Sequence, residues 1–136
     1  TALHLTSGAG TDWEFTMKTN GDLMCINKGP VTGSGMTEVH RLSAASKYQS
    51  FDLQTATALH LTSGAGADWQ FTVKTNGDLM CINKGPVTGS GMTEVHRLSA
   101  ASNYQSFDLQ TATALHLTSG AGTDWEFTMK TNGDLM

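Results

Sequence analysis

The chain has 136 residues, of which 38% are hydrophobic and 15 are glycine, and its formal net charge is −4. This acidic balance provides no positive field for phosphate backbones, so nucleic acid is excluded as a partner. No apolar run approaches the length that spans a bilayer, so we predict no membrane insertion. The compartment is left open, with secretion as one candidate.

The sequence is a tandem repeat with a period of 56 residues. Residues 1–56 and 57–112 differ at only four positions, and residues 113–136 repeat residues 1–24 without a change. The differing pairs are Thr11/Ala67, Glu14/Gln70, Met17/Val73 and Lys47/Asn103. We therefore predict two whole units, 1–56 and 57–112, and part of a third, 113–136, which share their cores with each other.

The second unit opens with a strand end, a loop and a hairpin. Residues 57–62 alternate and end a strand, and residues 63–67 form a loop of small residues. Residues 69–75 alternate with period 2 and form strand a, with the aromatic residues on one face. Asn76-Gly77 is a strong hairpin signal and predicts an antiparallel return.

Strand b, residues 78–84, is apolar on both faces because Leu79 and Cys81 alternate with Met80 and Ile82. A strand with this pattern lies in the middle of stacked layers rather than on a one-sided sheet.

The rest of the unit adds two more strands. Residues 85–91 contain a proline and three glycines and predict a loop. Strand c follows at 92–100, and strand d at 104–112 or a little beyond. No segment has helical periodicity with caps, so the fold class is all-β with four antiparallel strands in each unit.

Four-stranded units of about 40 to 50 residues are typical of β-propeller blades, whereas solenoid turns are shorter and contain parallel strands. A trefoil, whose units also have four strands, is the alternative. The doubly apolar strand b favours face-to-face stacking of blades, and we predict a β-propeller.

The run TGSGMTEVHRLSAASNYQSFDLQTATALH, residues 88–116, resembles the blade motif of bacterial propellers related to the fucose-binding seven-bladed lectins. It is also similar to the FG-GAP-like blades of secreted bacterial proteins. The resemblance covers the whole chain, since every residue lies in a copy of the unit. It implies a propeller fold and a sugar-binding function, although many such blades are not lectins.

Two features argue against a metal or another cofactor. FG-GAP-like blades often carry a DxDGxxD calcium loop, but only Lys74-Thr75-Asn76-Gly77-Asp78 is present here. A single carboxylate does not supply the roughly six to eight oxygen ligands that calcium takes. Cys25 and Cys81 occupy equivalent positions in an apolar strand, which predicts buried free thiols and no disulfide or zinc site. We therefore expect no cofactor.

The histidines do not indicate an enzyme. They occur in two repeat positions, one holding His4, His60 and His116 and the other holding His40 and His96. Catalysis needs differentiated groups in one pocket, whereas repeats supply equal surfaces. We interpret Glu94 and His96 as a hydrogen-bonded pair between blades.

The candidate carbohydrate-binding residues combine aromatic rings with polar groups and small residues that allow close approach. In the loop before strand a and at its start they are Ser63, Gly64, Gly66, Asp68 and Trp69, with Asp12 and Trp13 in the first unit and Asp124 and Trp125 in the third. The loop between strands b and c emerges on the same side and adds Thr88 and Ser90. Each Trp also has a structural interpretation, packing between blades.

Other polar residues have similar alternatives. Arg41 and Arg97 could bind a sugar ring oxygen or pair with an acidic residue of the adjacent blade. Tyr48 and Tyr104, with the Gln that follows each, are interpreted as structural. The variable pair Glu14/Gln70 is expected on a solvated face, away from any site.

Two functions remain after these exclusions. The first is a multivalent lectin for fucose or related glycans, in which weak equivalent sites combine through effective concentration. The second is a structural propeller scaffold without a ligand, which is favoured by the near-identity of the units, whether amplified recently or idealised by design.

The self-association of the chain is predicted from its strands. Two units leave apolar faces and sheet edges uncovered, and strands a and b of the third unit lack strands c and d. We expect a homo-oligomer in which blades are completed between chains. The alternative is that these residues are part of a longer propeller.

Overall fold

The computed structural model describes residues 1–4, 12–29, 33–61, 68–85, 89–117 and 125–136. These residues form two sheets of four antiparallel strands, in the orders β1-β2-β3-β4 and β5-β6-β7-β8. The strands are β1 (Trp13–Met17), β2 (Leu23–Asn27), β3 (Met36–Leu42), β4 (Phe51–His60), β5 (Trp69–Val73), β6 (Leu79–Asn83), β7 (Met92–Leu98) and β8 (Phe107–His116). The all-β prediction with four antiparallel strands in each unit is confirmed. A 3-10 helix at Ala100–Ser102 precedes β8.

The β1–β2 turn shows why the chain reverses where the sequence predicts. Gly21 has a φ of 94°, in the left-handed region that glycine adopts without strain. The Lys18 amide donates to the Asp22 carbonyl at 2.9 Å, and the Asp22 amide donates to the Asn20 side-chain oxygen at 3.0 Å. The corresponding turn in the second unit has Gly77 at φ 96°.

Each sheet has two apolar faces, as the pattern of strand b predicts. We call the face with Trp13, Phe15, Cys25 and Leu42 the leading face of the first sheet; its counterpart in the second sheet has Trp69, Phe71, Cys81 and Leu98. The trailing faces carry Met24, Ile26 and Val39 in the first sheet and Met80, Ile82 and Val95 in the second.

The sheets stack with one trailing face against the next leading face. Met24, Ile26 and Val39 form one buried cluster with Phe71 and Leu79. Burial of apolar side chains on this scale is the main source of stability in such a fold.

Part of the same contact is found on each side of this pair of sheets. On the trailing face of the second sheet, Met80 and Ile82 pack against Phe127, the counterpart of Phe71 in the third unit. On the leading face of the first sheet, Leu3 packs near Trp13. The second trailing face therefore meets the third unit as the first trailing face meets the second sheet, whereas the first leading face meets only Ala2 and Leu3 among the described residues and leaves Phe15 exposed.

Backbone hydrogen bonds also hold adjacent units together, at the tyrosine that precedes strand d of each sheet. The Ala58 amide donates to the Tyr104 carbonyl of the following sheet at 3.1 Å, and the Ala2 amide donates to the Tyr48 carbonyl at 3.1 Å. Gln105 adds a side-chain bond to Thr55 Oγ1 at 2.8 Å. The end of one strand d is thus attached to the next unit.

Tyr104 is structural, as predicted. Its side chain is only 1% exposed, and its hydroxyl donates to the Gly77 carbonyl at 2.8 Å. Burial raises the pKa of this phenol. Tyr48 makes the equivalent bond to Gly21 at 3.0 Å, in a less buried position.

Replacing Tyr104 by phenylalanine is expected to lower the free energy of unfolding by about 1–3 kcal/mol, because it leaves the buried Gly77 carbonyl without its donor. The matched change Tyr48→Phe should cost less than about 1 kcal/mol, because Gly21 is less buried and water can replace the hydroxyl. Urea unfolding followed by circular dichroism measures both. Equal losses would contradict this difference in burial.

Cys25 and Cys81 are free and buried, which confirms the prediction from their strand positions. Burial raises the pKa of the Cys25 thiol to about 11 and also raises the pKa of Cys81. Both side chains therefore act as small apolar groups at neutral pH.

Candidate functional site

A polar groove of about 550 Å³ crosses the three units at the start of the first strand of each. Its walls are Glu14, Lys28, Trp69, Gln70, Lys84, Trp125 and Glu126. We call it the inter-unit groove. It takes the same types of residue from successive units: a Glu or Gln, a Lys, and the Trp of the following unit.

The antiparallel pairing of β1 with β2 determines where the groove side chains of the first unit lie. Trp13 lies opposite Asn27, and the Lys28 amide donates to the Asp12 carbonyl at 2.8 Å. The start of β1 and the end of β2 therefore meet at one edge of the sheet. Because Glu14 lies opposite Ile26, its side chain belongs to the trailing face and projects toward the next unit.

Glu14 and Gln70 are not on a solvated face, so the sequence-based expectation for them is wrong. Glu14 Oε2 accepts from the Phe71 amide at 2.9 Å, and Lys28 donates to Glu14 Oε1 at 3.2 Å. Gln70 Nε2 donates to the Phe127 carbonyl at 2.6 Å. Each side chain links its own sheet to the following unit.

The three tryptophans differ in exposure. Trp13 and Trp69 are 8% and 4% exposed, and each packs edge-on against a histidine ring, His40 at 5.1 Å and His96 at 5.0 Å between centroids. Trp125 is 46% exposed. Trp69 and Trp125 line the inter-unit groove, whereas Trp13 lies in the core cluster of the first leading face.

His96 and Glu94 are hydrogen-bonded, but within β7 rather than between units as predicted. His96 Nε2 lies 3.0 Å from Glu94 Oε1, and Gln110 Nε2 lies 3.3 Å from His96 Nδ1. Because side chains two residues apart on a strand share a face, the pair forms locally. Both ring nitrogens are thereby used in structural bonds.

Asp12 and Asp68 are packed against the loop that follows strand b. A Cβ on Gly29 would lie 2.2 Å from Asp12 Cγ, and one on Gly85 would lie 2.1 Å from Asp68 Cγ. The glycine is required so that the carboxylate side chain fits. Neither aspartate lines the inter-unit groove, although each directly precedes the Trp at the start of strand a.

The candidate arginines lie away from the groove. Arg41 Nε donates to Asp52 at 2.7 Å, and Arg97 Nε donates to Asp108 at 2.7 Å. Both pairs join neighbouring strands of one sheet, not adjacent units as the alternative interpretation held. Arg97 also lines a second, largely apolar cavity of about 530 Å³ between the second trailing face and residues 125–136.

The predicted site in the loops is described only in part. Ser90 is exposed, and its hydroxyl accepts from the Met92 amide at 3.2 Å. The remaining candidates lie outside the described residues: Ser63, Gly64, Gly66, Thr88 and Asp124.

The carboxylate of the β1–β2 turn has a structural role. Asp22 Oδ1 accepts from the Ala44 amide at 2.9 Å, and this bond is the main cause of the lowered pKa of Asp22. Asp78 makes the same bond to Ala100 at 2.8 Å. No cluster of three His, Cys, Asp or Glu side chains suited to a metal occurs within the described ranges.

Sequence reasoning missed the lysines and the Glu14/Gln70 position. A signal was present: strand b is apolar on both faces, so the face of strand a opposite its aromatic residues must also meet a neighbouring unit. A polar residue there needs a partner in that unit.

The chain matches no protein-family model, no curated protein and no solved structure. Within the part of the chain that the structure describes, no helix has the length and hydropathy needed to cross a membrane.

Proposed function

We propose that the protein is a multivalent carbohydrate-binding lectin of the fucose-binding type, and not an enzyme, whose units are blades of a β-propeller. The observation that carries the proposal is the inter-unit groove, in which an ammonium group and a carboxylate or amide recur at successive unit boundaries, with the exposed indole of Trp125 at the second of them. Sugar sites combine an aromatic surface with a few fixed polar groups in this way.

The sheet stacking supports the propeller. Sequential four-stranded antiparallel sheets that pack face to face, each in the same relation to the next, are the elements of this fold. Further units in the same relation complete a ring, and in this proposal a second copy of the chain supplies them.

Each side chain in the second half of the groove, at the boundary between the second and third units, has a role in this proposal. The exposed Trp125 ring offers an apolar surface to a pyranose, and Lys84 donates to ring hydroxyls. The Gln70 amide and the Glu126 carboxylate accept hydrogen bonds from the same sugar. Single contacts of this kind are weak, and repetition around the ring makes them effective on a surface that carries many glycans.

Binding is tested by calorimetric titration with methyl fucoside and fucosylated oligosaccharides at millimolar concentration, with tryptophan fluorescence as a second readout. We expect saturable binding that Trp125→Ala weakens about fivefold or more, since stacking on an aromatic ring contributes about 1 kcal/mol or more. Lys130→Ala, an exposed position outside the groove, is the control and should bind normally. Wild-type protein with no heat and no fluorescence change for any sugar would reject the lectin.

That negative result would favour the second candidate, a structural scaffold without a ligand. Its support is that Glu14 and Gln70 each bond to the unit that follows, and that Lys28 bonds to Glu14 within its own sheet, so the groove groups also stabilise the stacking.

A further inference from the structure

The apolar cavity of about 530 Å³ on the second trailing face has a filled counterpart on the first trailing face. There, Tyr104 of the second sheet belongs to one buried cluster with Val39 and Leu59 of the first sheet. The repeats of these two residues, Val95 and Leu115, line the cavity. The first trailing face therefore shows which kind of side chain such a surface accommodates.

The groups that meet the Tyr104 hydroxyl recur in the cavity as well. The hydroxyl donates to the Gly77 carbonyl at 2.8 Å. Burial raises the pKa of this phenol, and the neighbouring Arg41 guanidinium opposes that effect. The repeats of these two residues, Gly133 and Arg97, both line the cavity.

Both groups are held alike in the two places. Gly133 has a φ of 95° and Gly77 a φ of 96°, so the two turns present their carbonyls in the same way. Each guanidinium, of Arg41 and of Arg97, donates through Nε to an aspartate of the neighbouring strand at 2.7 Å. The acceptor and the cation are thus in place in the cavity.

An aromatic ring that carries a hydroxyl matches this combination. The apolar walls remove the ring from water, and a phenol hydroxyl can donate to a backbone carbonyl. Small-molecule sites have volumes of about 300–1,000 Å³ and mostly apolar walls with a few polar groups. A sugar does not fit, because these walls leave most of its hydroxyls without partners.

We propose that the cavity binds a small phenol, whose ring packs on Leu109 and Leu115 and whose hydroxyl donates to the Gly133 carbonyl beside Arg97. The ligand takes the place that Tyr104 has between the first two sheets. This inference goes beyond the proposed function, because its ligand is not a sugar. Among the described residues, the cavity shares Trp125 and Glu126 with the inter-unit groove.

The test compares p-cresol, which is the tyrosine side chain as a free molecule, with p-xylene, in which a methyl group replaces the hydroxyl. Calorimetric titration of the full chain should show saturable binding of p-cresol at millimolar concentration, at least as tight as that of p-xylene. An apolar cavity without an acceptor would prefer p-xylene about fivefold or more, because a buried hydroxyl without a partner is costly.

The place of binding is tested by methyl NMR on the wild type. Added p-cresol should shift the methyl resonances of Val95 and Leu115. Those of Val39 and Leu59, which are 0% and 3% exposed in the filled contact, should stay in place and provide the internal control.

A variant gives a second test of the place. Leu109→Trp fills the cavity and should abolish p-cresol binding, whereas Leu23→Trp, the same change at a partly exposed position outside the cavity, should bind normally. Circular dichroism checks the fold, and the NMR comparison decides if Leu109→Trp does not fold. Titration of Leu109→Trp with methyl fucoside should show that sugar binding is retained.

Three results would overturn this inference: no saturable binding of p-cresol, a preference of about fivefold or more for p-xylene, or shifts at Val39 and Leu59 equal to those at Val95 and Leu115. Binding of p-cresol that weakens as the protein concentration rises would show that a second copy fills the cavity, and it would overturn the inference too. Sugar binding is measured separately, so failure of either proposal leaves the other standing.

Discussion

Phe71→Ala is expected to lower the free energy of unfolding by about 3–5 kcal/mol, whereas Phe15→Ala, the same position in the first unit, is expected to change it by less than about 1 kcal/mol. The cause is burial and not sequence, since both residues lie on strand a of a near-identical unit. Phe71 is 4% exposed between the two sheets, and Phe15 is 45% exposed on the first leading face.

Guanidinium unfolding at low protein concentration, followed by tryptophan fluorescence, measures both variants under conditions that minimise association. The repeat provides the matched control, because the two substitutions remove the same atoms from the same strand position. Losses of similar size would show that the first leading face is covered in solution, or that the two sheets do not stack.

The protein is expected to self-associate through the first leading face, and Phe15→Lys together with Met17→Lys should leave a folded monomer of 14.4 kDa. Phe15 and Met17 are 45% and 52% exposed. The equivalent face of the second sheet, which differs from it in Val73 for Met17, is buried by Met24, Ile26 and Val39, so a trailing face is the surface that fits the first leading face. An exposed apolar patch with a complementary surface is an assembly site.

Sedimentation velocity over a hundredfold range of concentration tests the association, and circular dichroism checks the fold. Thr19→Lys with Ala45→Lys adds the same charge at exposed positions, whose counterparts Thr75 and Ala101 stay exposed beside the covered second leading face, and should associate like the wild type. A wild type that stays at 14.4 kDa at every concentration would contradict association through this face.

The local structure follows from the sequence because its causes are local. Alternation with period 2 places Trp69, Phe71 and Val73 on one face of a strand wherever the strand lies. Asn20-Gly21 requires a reversal because glycine adopts the positive φ at low cost. Likewise, the two apolar faces of strand b predict burial on both sides, and Cys25 and Cys81 are buried accordingly.

The partners of polar side chains could not be found in this way. Glu14 looks like a surface residue in an alternating strand, and only the position of the next sheet brings the Phe71 amide within 2.9 Å of it. Glu94 and His96 bond within one strand, although a pair between units was expected. Arg97 bonds to Asp108 within one sheet, although the alternatives considered were a sugar and an acidic residue of the adjacent unit.

The sequence by itself therefore determined the strands, their hairpin, the repeat and the residues of the core. The tertiary structure decided that trailing faces pack on leading faces, and so which copy of a repeated residue is buried or exposed, as with Phe71 and Phe15. It also decided that Glu14, Lys28, Gln70 and Lys84 meet in one groove. The physical reason is that strand geometry depends on neighbours along the chain, whereas the pairing of polar groups depends on distances between units that no local pattern specifies.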